Sequence, residues 1–462
     1  MKSSNNRPLS LDQFNNLLQQ SGVVDHTYPL TALVWMPYGY KILNLTENYL
    51  NGLFEKYGYG RHVFPYLVSS REFDRINKQI SSFETGVFKV TNSIILRPSG
   101  ESAIYPMFRR WIKSERDLPK KVFQIGSMFR KGSTRGFMRP NENDFFVEAH
   151  SAFSSRKEAE IELMNINNLV EEYLRWLAIP TLKTIRPSWT NKPVAEKEYA
   201  FDALLPIGET SLLNVTYSQM QIFSKAFDIS FTRENGIKDY TYQAEFGFSQ
   251  RSILTSVWLM SNQDNLFLLP SYSPIQVVII QIDPENSQLS EYSEKILMLL
   301  KSKNIRAFVD KEKRQLYKRF SKYEKIGVPI RLEIGENELK YSTIKLVRKD
   351  NGNKLNHPFD NIDQTVNQTF EKIISDAYAN NEKKLIDNTI ICDKKEKVRE
   401  TIKYGKIAKV QLCNCEDCTK KLQKEIGLGE VIGFKDEDDK IEGPCINCHK
   451  STSNVAFYAR RV

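Results

Sequence analysis

The chain has 462 residues, of which 40% are hydrophobic and 26% are charged. These proportions exclude a mainly disordered chain, and no apolar run approaches the ~20 residues that a membrane-spanning helix needs. The formal net charge is +10, and residues 301–350 alone carry 15 Lys/Arg against 7 Asp/Glu. A basic surface of this kind either attracts a polyanion, most commonly nucleic acid, or is simply a solvated lysine-rich face.

The N-terminal segment MKSSNNRPLSLDQFNNLLQQ contains no continuous apolar stretch, so we expect no secretory signal. Six cysteines are too few for a disulfide scaffold, and five of them lie within the last 50 residues. We therefore expect a cytoplasmic protein in a reducing environment.

The first region, residues 1–272, is rich in aromatic residues and is predicted to form strands separated by turns, with a few helices. The segments VFQIGSMFR (122–130) and DFFVEAHSAF (144–153) predict a long antiparallel hairpin with a basic loop. The clearest helix is predicted to begin at Ser155, because Ser155 and Glu158 have the spacing of a capping box.

The second region, residues 273–385, begins where the sequence pattern changes after PSYSP (270–274). PIQVVIIQI is typical of a strand that is buried on both faces. Predicted helices and strands then alternate, which indicates a small α/β domain with a largely parallel sheet. These predicted elements are helix 285–303, strand 305–310, helix 312–325, strand 328–335 and a closing helix near 361–384.

The third region, residues 386–462, contains the clustered cysteines. Cys413 and Cys418 supply one thiolate pair, and Cys445 and Cys448 supply a second, which suits a structural tetrahedral Zn²⁺ site. Cys415 with Cys418 is an alternative first pair, and reduced, buried cysteines without a metal are the competing interpretation. Four thiolates would leave no open position on the metal for water.

Several motifs together resemble a known family. RPSGESAIYPMFRRWIK (97–113), VFQIGSMFR, VEAHSAF (147–153), GFSQR (247–251) and LPSYSPIQVVII (269–280) occur in the order found in prolyl-tRNA synthetases of the archaeal and eukaryotic type. The resemblance continues through GVPIRLEIG (327–335) and both cysteine pairs. It implies an α+β protein with a class II synthetase catalytic domain built on an antiparallel sheet, an α/β anticodon-binding domain and a small zinc-binding C-terminal domain.

The resemblance also implies the chemistry. ATP and Mg²⁺ would activate proline to prolyl-adenylate, and the prolyl group would then pass to tRNA without a covalent enzyme intermediate. Members of this type are homodimers, and Pro65 in VFPYLV resembles the motif 1 proline at the dimer interface.

Activation places negative charge on the α-phosphate, so the site needs fixed cations. Arg130, which follows a predicted strand, can bind the α-phosphate and the amino-acid carboxylate bidentately. By resemblance Arg130 is the motif 2 arginine, and Arg251 is the motif 3 arginine at the start of a helix near the γ-phosphate; these two are the expected catalytic residues. The resemblance implies that Arg139, Glu142 and Gln221 also bind ATP.

For the amino acid, the resemblance implies that Ser99 and Glu101 hold the imino group from one face of a strand. A buried carboxylate can bind a cationic amine specifically, because the attraction between the two charges offsets the cost of removing each from water. Phe146 and His150 would flank the proline ring, and Tyr217 occupies the position of a substrate-side histidine.

In the second region, Arg319, Arg331 and Glu333 lie in stretches similar to those that read anticodon bases. Arginine can stack on bases or contact phosphates, and Glu can accept from a base amino group. A solvated basic face is the alternative for each of them.

Some positions depart from the family pattern. Gly132 replaces an adenine-binding Glu, Met220 replaces a glycine close to the pocket, Leu212 replaces a glutamine, and Val462 replaces a tyrosine. These changes leave open a paralogue that activates another imino acid or loads a non-tRNA acceptor, and an inactive tRNA-binding protein. Retention of Arg130, Arg139 and Arg251 argues against the inactive protein, and the retained anticodon-like domain argues against a complete loss of tRNA.

Overall fold

The computed structural model describes residues 8–28, 32–79, 86–132, 138, 140–187, 189, 194–436 and 442–462, with residues 76–79 described by their backbone only. Among these residues, no helix combines the length and apolar character that crossing a bilayer requires.

The first region contains both short peripheral elements and the long strands that carry the site. Its helices are α1 (Leu11–Gln20), α2 (Pro37–Lys56), α3 (Ser70–Gln79), α4 (Glu101–Trp111), α5 (Arg156–Trp176), α6 (Ile222–Phe227) and α7 (Gln250–Met260). Its strands are β1 (Val24–Asp25), β2 (Val34–Trp35), β3 (Gly60–Arg61), β4 (Leu67–Ser69), β5 (Ile94–Leu96), β6 (Lys120–Phe129), β7 (Glu142–Phe153), β8 (Leu182–Ile185), β9 (Lys197–Leu204), β10 (Thr210–Met220), β11 (Ser230–Thr232), β12 (Lys238–Tyr240) and β13 (Tyr242–Ser249).

The main sheet of this region has the order β8-β9-β10-β13-β7-β6-β3 and is antiparallel except for the β3–β6 pair. The predicted hairpin is confirmed as β6 and β7. The predicted capping box is also confirmed, since Ser155 and Glu158 exchange hydrogen bonds at the start of α5. Helix α5 packs on β10 and β13, and its buried side chains join the main core.

The second region forms a five-stranded sheet with helices. Its elements are β14 (Val277–Gln281), α8 (Ser287–Ser302), β15 (Ala307–Asp310), α9 (Leu316–Lys325), β16 (Ile330–Ile334), α10 (Glu336–Lys340), β17 (Thr343–Arg348), β18 (Lys354–Pro358) and α11 (Ile362–Asp387).

Strand β14 is buried along its whole length, as predicted. The sheet order is β15-β14-β16-β17-β18, in which the first two pairings are parallel and the last two are antiparallel. The expectation of a largely parallel sheet is therefore wrong for half of the sheet. Between β16 and β17 the chain returns through the short helix α10, and between β17 and β18 it turns at Asn351-Gly352, where Gly352 adopts a φ of 71°.

The third region continues the main sheet. Its elements are β19 (Thr389–Ile391), α12 (Lys395–Lys403), β20 (Ile407–Gln411), α13 (Glu416–Ile426), β21 (Glu430–Phe434), β22 (Gly443–Pro444), β23 (Ser451–Thr452) and β24 (Val455–Ala459). Strands β19-β20-β24-β21 join β8 through the pair Phe434–Ile185, which produces one sheet of eleven strands. A buried ion pair of 2.8 Å between Arg461 and Asp202 strengthens this junction.

Candidate active site

A cavity of about 440 Å³ lies over one face of the main sheet; we call it the reaction pocket. Its floor comes from alternate residues of neighbouring strands, because successive side chains of a strand point to opposite faces. In β7 these residues are Phe146, Glu148 and His150, and in β13 they include Glu245 and Gly247. The long antiparallel strands thus supply the floor.

Most of the site residues expected from sequence meet in this pocket. Ser99, Glu101, Arg130, Phe146, His150, Tyr217 and Arg251 all line it. Glu142 begins β7 opposite Phe129 and is not among the lining residues. Gln221 also lies outside the lining, and its side-chain amide donates to Asp239 and to the carbonyl of Tyr240. Arg139 falls outside the described residues.

The expectation that Ser99 and Glu101 share a strand face is wrong. Strand β5 ends at Leu96, and Glu101 is the first residue of α4. A turn brings both side chains to the pocket instead, and the carboxylate of Glu148 lies so close to Gly100 that an added Cβ there would force it to move. Burial raises the pKa of Glu101, against the opposing effects of the Ser99 hydroxyl and the Arg130 cation.

Both arginines are anchored by backbone carbonyls. The Nε of Arg130 donates to Pro98 O at 2.8 Å, and its guanidinium lies 5.4 Å from the ring centroid of Phe146. An Nη atom of Arg251 donates to Leu212 O at 2.8 Å. Arg251 lies in the first turn of α7, as expected, and its N–H is capped by the hydroxyl of Ser249. This anchoring fixes two positive charges at the pocket before any ligand binds.

Three glutamates in the pocket were missed from sequence: Glu148 and Glu198, which are buried, and Glu245, whose side chain is 12% exposed. Burial raises the pKa of Glu148 to about 7 and of Glu198 to about 7. Burial also raises the pKa of Glu245, and repulsion from Glu101 and Glu148 adds to it. Strand alternation with Phe146 and His150 was a signal for Glu148. Glu198 and Glu245 had no such signal, because only the strand register brings them to the pocket.

His150 is embedded in a buried hydrogen-bond network. Its Nδ1 lies 3.0 Å from the hydroxyl of Tyr105 and 3.2 Å from Oε2 of Glu245. Because the Tyr105 hydroxyl donates to Gln219, the network assigns the imidazole proton to Nδ1. Burial lowers the pKa of His150 to about 3, so the ring is neutral at physiological pH.

The departures from the family pattern fall in different places. Tyr217 and Leu212 line the pocket, whereas Gly132 is exposed and an added Cβ there would meet nothing within 4 Å. The expectation that Met220 fills space close to the pocket is not met: its side chain packs with Phe153. Met220 has a φ of 48°, a conformation that glycine adopts more easily.

Comparison with known proteins identifies the family. Residues 87–257 match the family described as "tRNA synthetase class II core domain (G, H, P, S and T)", and residues 276–369 match "Anticodon binding domain". The chain is 30% identical to the proline–tRNA ligase of Pyrococcus abyssi over 97% of both chains. It is 32% identical to that of Methanococcoides burtonii over 97% of this chain and 96% of the relative. The chain belongs to the proline–tRNA ligase family.

The fold agrees with this membership. The crystal structure of a prolyl-tRNA synthetase from Cryptosporidium parvum, complexed with L-proline and AMP, superposes with a TM-score of 0.89. It is 22% identical in sequence, and the match covers 97% of this chain and 94% of that chain. This member of the proline–tRNA ligase family therefore has the class II catalytic core, in which the reaction pocket lies, followed by an anticodon-binding domain.

Within the anticodon-binding domain, the structure corrects the expectation for Arg319. Its side chain has no exposed surface, forms an ion pair of 2.7 Å with Asp310, and donates to the carbonyls of Gln281 and Asp310. Arg319 is therefore part of the core of the domain and is unable to reach a base. Arg331 remains partly exposed: it donates to Glu333 and Glu324 at 3.0 Å. Nucleic-acid contact by Arg331 and Glu333 stays a prediction.

The cysteine cluster of this family member has the geometry of a metal site. The Sγ atoms of Cys413, Cys418, Cys445 and Cys448 all lie within 4.8 Å of one another. Zn–S bonds of about 2.3 Å place tetrahedral sulfur ligands roughly 3.8 Å apart, so the four thiols fit Zn²⁺. Cys415 is exposed and outside this group, so the geometry favours Cys413 for the first pair.

Proposed function

We propose that this chain is an ATP-dependent proline–tRNA ligase, which activates proline to prolyl-adenylate and transfers the prolyl group to tRNA. The observation that carries the proposal is the convergence of two anchored arginines and a buried carboxylate on one pocket of a class II core. The Glu101 carboxylate would bind the imino nitrogen, with the Ser99 hydroxyl beside it, and Phe146 and His150 would flank the ring.

In the activation step the proline carboxylate attacks the α-phosphate and pyrophosphate leaves. Arg130 would hold both reacting groups with one guanidinium, and Arg251 would bind the leaving phosphates; both residues line the pocket. Mg²⁺, when bound with ATP, neutralises further phosphate charge. The protein contributes positioning and charge stabilisation, and no covalent enzyme intermediate is needed. Assignment of Arg139, Glu142 and Gln221 to ATP remains part of the proposal.

The decisive test is amino-acid-dependent exchange of pyrophosphate into ATP, with proline compared against the other amino acids. We expect exchange with proline, followed by aminoacylation of tRNA. Exchange only with an unrelated amino acid, or exchange with none in a folded protein that binds ATP, would overturn the proposal.

The tRNA partner is supported by the basic stretch at residues 301–350, by the match to an anticodon-binding family and by Arg331 near the surface. Contacts to phosphates release counterions, so affinity for tRNA should fall steeply as salt rises. Replacing Arg331 with Ala should weaken tRNA binding while leaving pyrophosphate exchange unchanged. Equal tRNA affinity in the variant would remove Arg331 from the interface.

A structural Zn²⁺ bound by the four clustered cysteines is part of the proposal. The backbone N–H of Cys413 already donates to Sγ of Cys445 at 3.4 Å, an arrangement that favours thiolate. Metal analysis of purified protein should give one Zn²⁺ per chain. The Cys413→Ser variant should lose most of it, and the Cys415→Ser control should retain it; the reverse result would restore the alternative pair.

A homodimer is supported by the exposed apolar surface around Pro65, where Val63 is 88% exposed and Leu67 is 51% exposed. Such residues are typical of a surface that a partner covers. Light scattering should give twice the chain mass, and Val63→Asp should lower it. A cytoplasmic location is part of the proposal, because cysteines clustered for a metal rather than paired as disulfides are typical of proteins in a reducing compartment.

A further inference from the structure

Four ionisable side chains form one straight row across the floor of the reaction pocket. Strand register places Glu198 opposite Tyr217, Tyr217 opposite Glu245, and Glu245 opposite His150. All four line the pocket. We call this set the ionisable row.

The row lies at the amino-acid end of the pocket. Glu245 is four residues before Ser249, the N-cap of α7, and Arg251 in the first turn of that helix is the residue expected to bind the phosphates. At about 3.3 Å per residue this is roughly 13 Å along the strand. His150 and Tyr217 are also the two members that the family pattern places beside the amino acid. The row therefore faces the ring side of the substrate.

The row offers hydrogen-bond acceptors for which the protein supplies too few donors. Glu198 is 3% exposed, and its Oε1 accepts no hydrogen bond from any described residue. Arg186 lies close enough to oppose the rise in the pKa of Glu198, but burial prevails. For Glu245, Nδ1 of His150 lies 3.2 Å from Oε2 and is shared with Tyr105, and a hydrogen bond from the Gln219 side chain partly opposes the rise in its pKa.

An unsubstituted proline ring presents only C–H groups to these acceptors. Leaving a buried acceptor against C–H groups is unfavourable, because the hydrogen bond that it made to water is lost and not replaced. We propose that the pocket selects a proline whose ring carries a hydrogen-bond donor, either a hydroxyl or an ammonium group, and that Glu198 and Glu245 accept from it. This inference rests on the proposed function, since the reaction and the rest of the pocket are the same.

The test is pyrophosphate exchange by the full-length wild-type protein with a series of ring-substituted prolines. The series contains L-proline, the cis and trans 4-hydroxy and 4-amino derivatives, and the 4-methyl derivatives as size-matched analogues without a donor. We expect at least one donor-bearing derivative to exceed L-proline in kcat/KM by tenfold or more, with no gain for the methyl derivatives. The hydroxy and amino members identify which donor is preferred.

Two variants locate the effect. Glu198→Gln and Glu245→Gln remove a carboxylate without changing volume, and each should lower the ratio of kcat/KM between the preferred derivative and proline by tenfold or more. Glu196→Gln is the matched control, because Glu196 is exposed, lies outside the pocket and pairs with Arg156. Its ratio should not change.

The outcomes separate the two proposals. If proline and the methyl derivatives are activated as well as every donor-bearing derivative, the inference on ring substitution is overturned and the ligase stands. If no member of the series supports exchange, the ligase itself is overturned. An unchanged ratio in both glutamine variants would remove the ionisable row as the source of a selectivity seen in the wild type.

Discussion

The reaction pocket and the anticodon-binding domain differ in whether their buried ionisable side chains find hydrogen-bond partners within the protein. In the domain, Arg319 is fully enclosed, and Asp310 and two backbone carbonyls accept its hydrogen bonds. In the pocket, Glu198 is equally enclosed, and its Oε1 has no hydrogen-bond partner among the described residues. A buried charge whose hydrogen bonds are all made within the protein belongs to the scaffold, whereas a buried acceptor oxygen without a donor among the described residues indicates where a ligand can supply one.

The largest expected effect on stability comes from breaking the buried ion pair between Arg319 and Asp310. Arg319→Met should lower the free energy of unfolding by about 3–5 kcal/mol, because Asp310 would be left buried without its cation. Denaturant unfolding measures this loss. The double variant Arg319→Met with Asp310→Asn should recover part of the stability, and a loss below about 1 kcal/mol in the single variant would contradict the scaffold role.

In the reaction pocket, removal of a charged side chain should lower the activity of the enzyme but leave the stability of the fold nearly unchanged. Arg130→Ala should lower the rate of pyrophosphate exchange by about 10²–10³-fold, the usual effect of losing a preorganised donor to the developing charge. The thermal midpoint should remain near that of the wild type. The exposed Arg110→Ala variant on α4 is the control, and a loss of less than threefold in Arg130→Ala would exclude Arg130 from the reaction.

A smaller effect concerns how the stability of the protein depends on pH through Glu148 in the pocket. Burial raises the pKa of Glu148 to about 7 from the 4.5 of an unperturbed glutamate. Between pH 4.5 and pH 7 the folded state therefore binds more protons at this group than the unfolded state does. The unfolded state ionises first, and the stability contributed by the protonated group is therefore lost as pH rises from about 4.5 to 7.

Glu148→Gln removes this dependence. Relative to the wild type, the variant should gain about 1–3 kcal/mol of stability between pH 4.5 and pH 8, measured by denaturant unfolding at both values. The exposed Glu160→Gln variant should show no comparable gain. A parallel pH dependence for wild type and Glu148→Gln would place the titration elsewhere.

The smallest expected effect tests the departure from the family pattern at Gly132. Gly132 is exposed with open space around it, so Gly132→Glu fits without collision. If the glutamate restores an adenine contact, one hydrogen bond of about 1 kcal/mol should lower KM for ATP roughly fivefold. Gly132→Ala, which adds a side chain without an acceptor, should leave KM unchanged. No difference between the two variants would argue against an adenine contact from this position.

The sequence allowed prediction of those elements that depend on local sequence patterns. The β6–β7 hairpin, the start of α5 at Ser155 and the buried strand β14 follow from alternation, capping and apolar runs. The β17–β18 hairpin was missed although Asn351-Gly352 is a strong turn signal. The extension of the main sheet by the third region was not predictable, because it depends on one long-range strand pair, Phe434–Ile185.

The family motifs predicted which residues line the pocket, but they did not predict the local structure that holds those residues there. Ser99 and Glu101 are in the pocket, but a turn and a helix start hold them there rather than a strand. Arg319 carries the same charge as a base-reading arginine, and only the fold reveals that Asp310 accepts its hydrogen bonds. Glu198 and Glu245 lack a motif altogether, because their proximity is a product of register across β9, β10 and β13.

The eleven-stranded sheet has a consequence for synthesis of the chain on the ribosome. Strand β8 ends at Ile185, and its partner β21 begins about 245 residues later, at Glu430. At about 5–20 residues per second the edge of β8 therefore remains unpaired for roughly 10–50 s. The edge is only four residues long and carries Lys183, two features that discourage pairing with a neighbouring nascent chain.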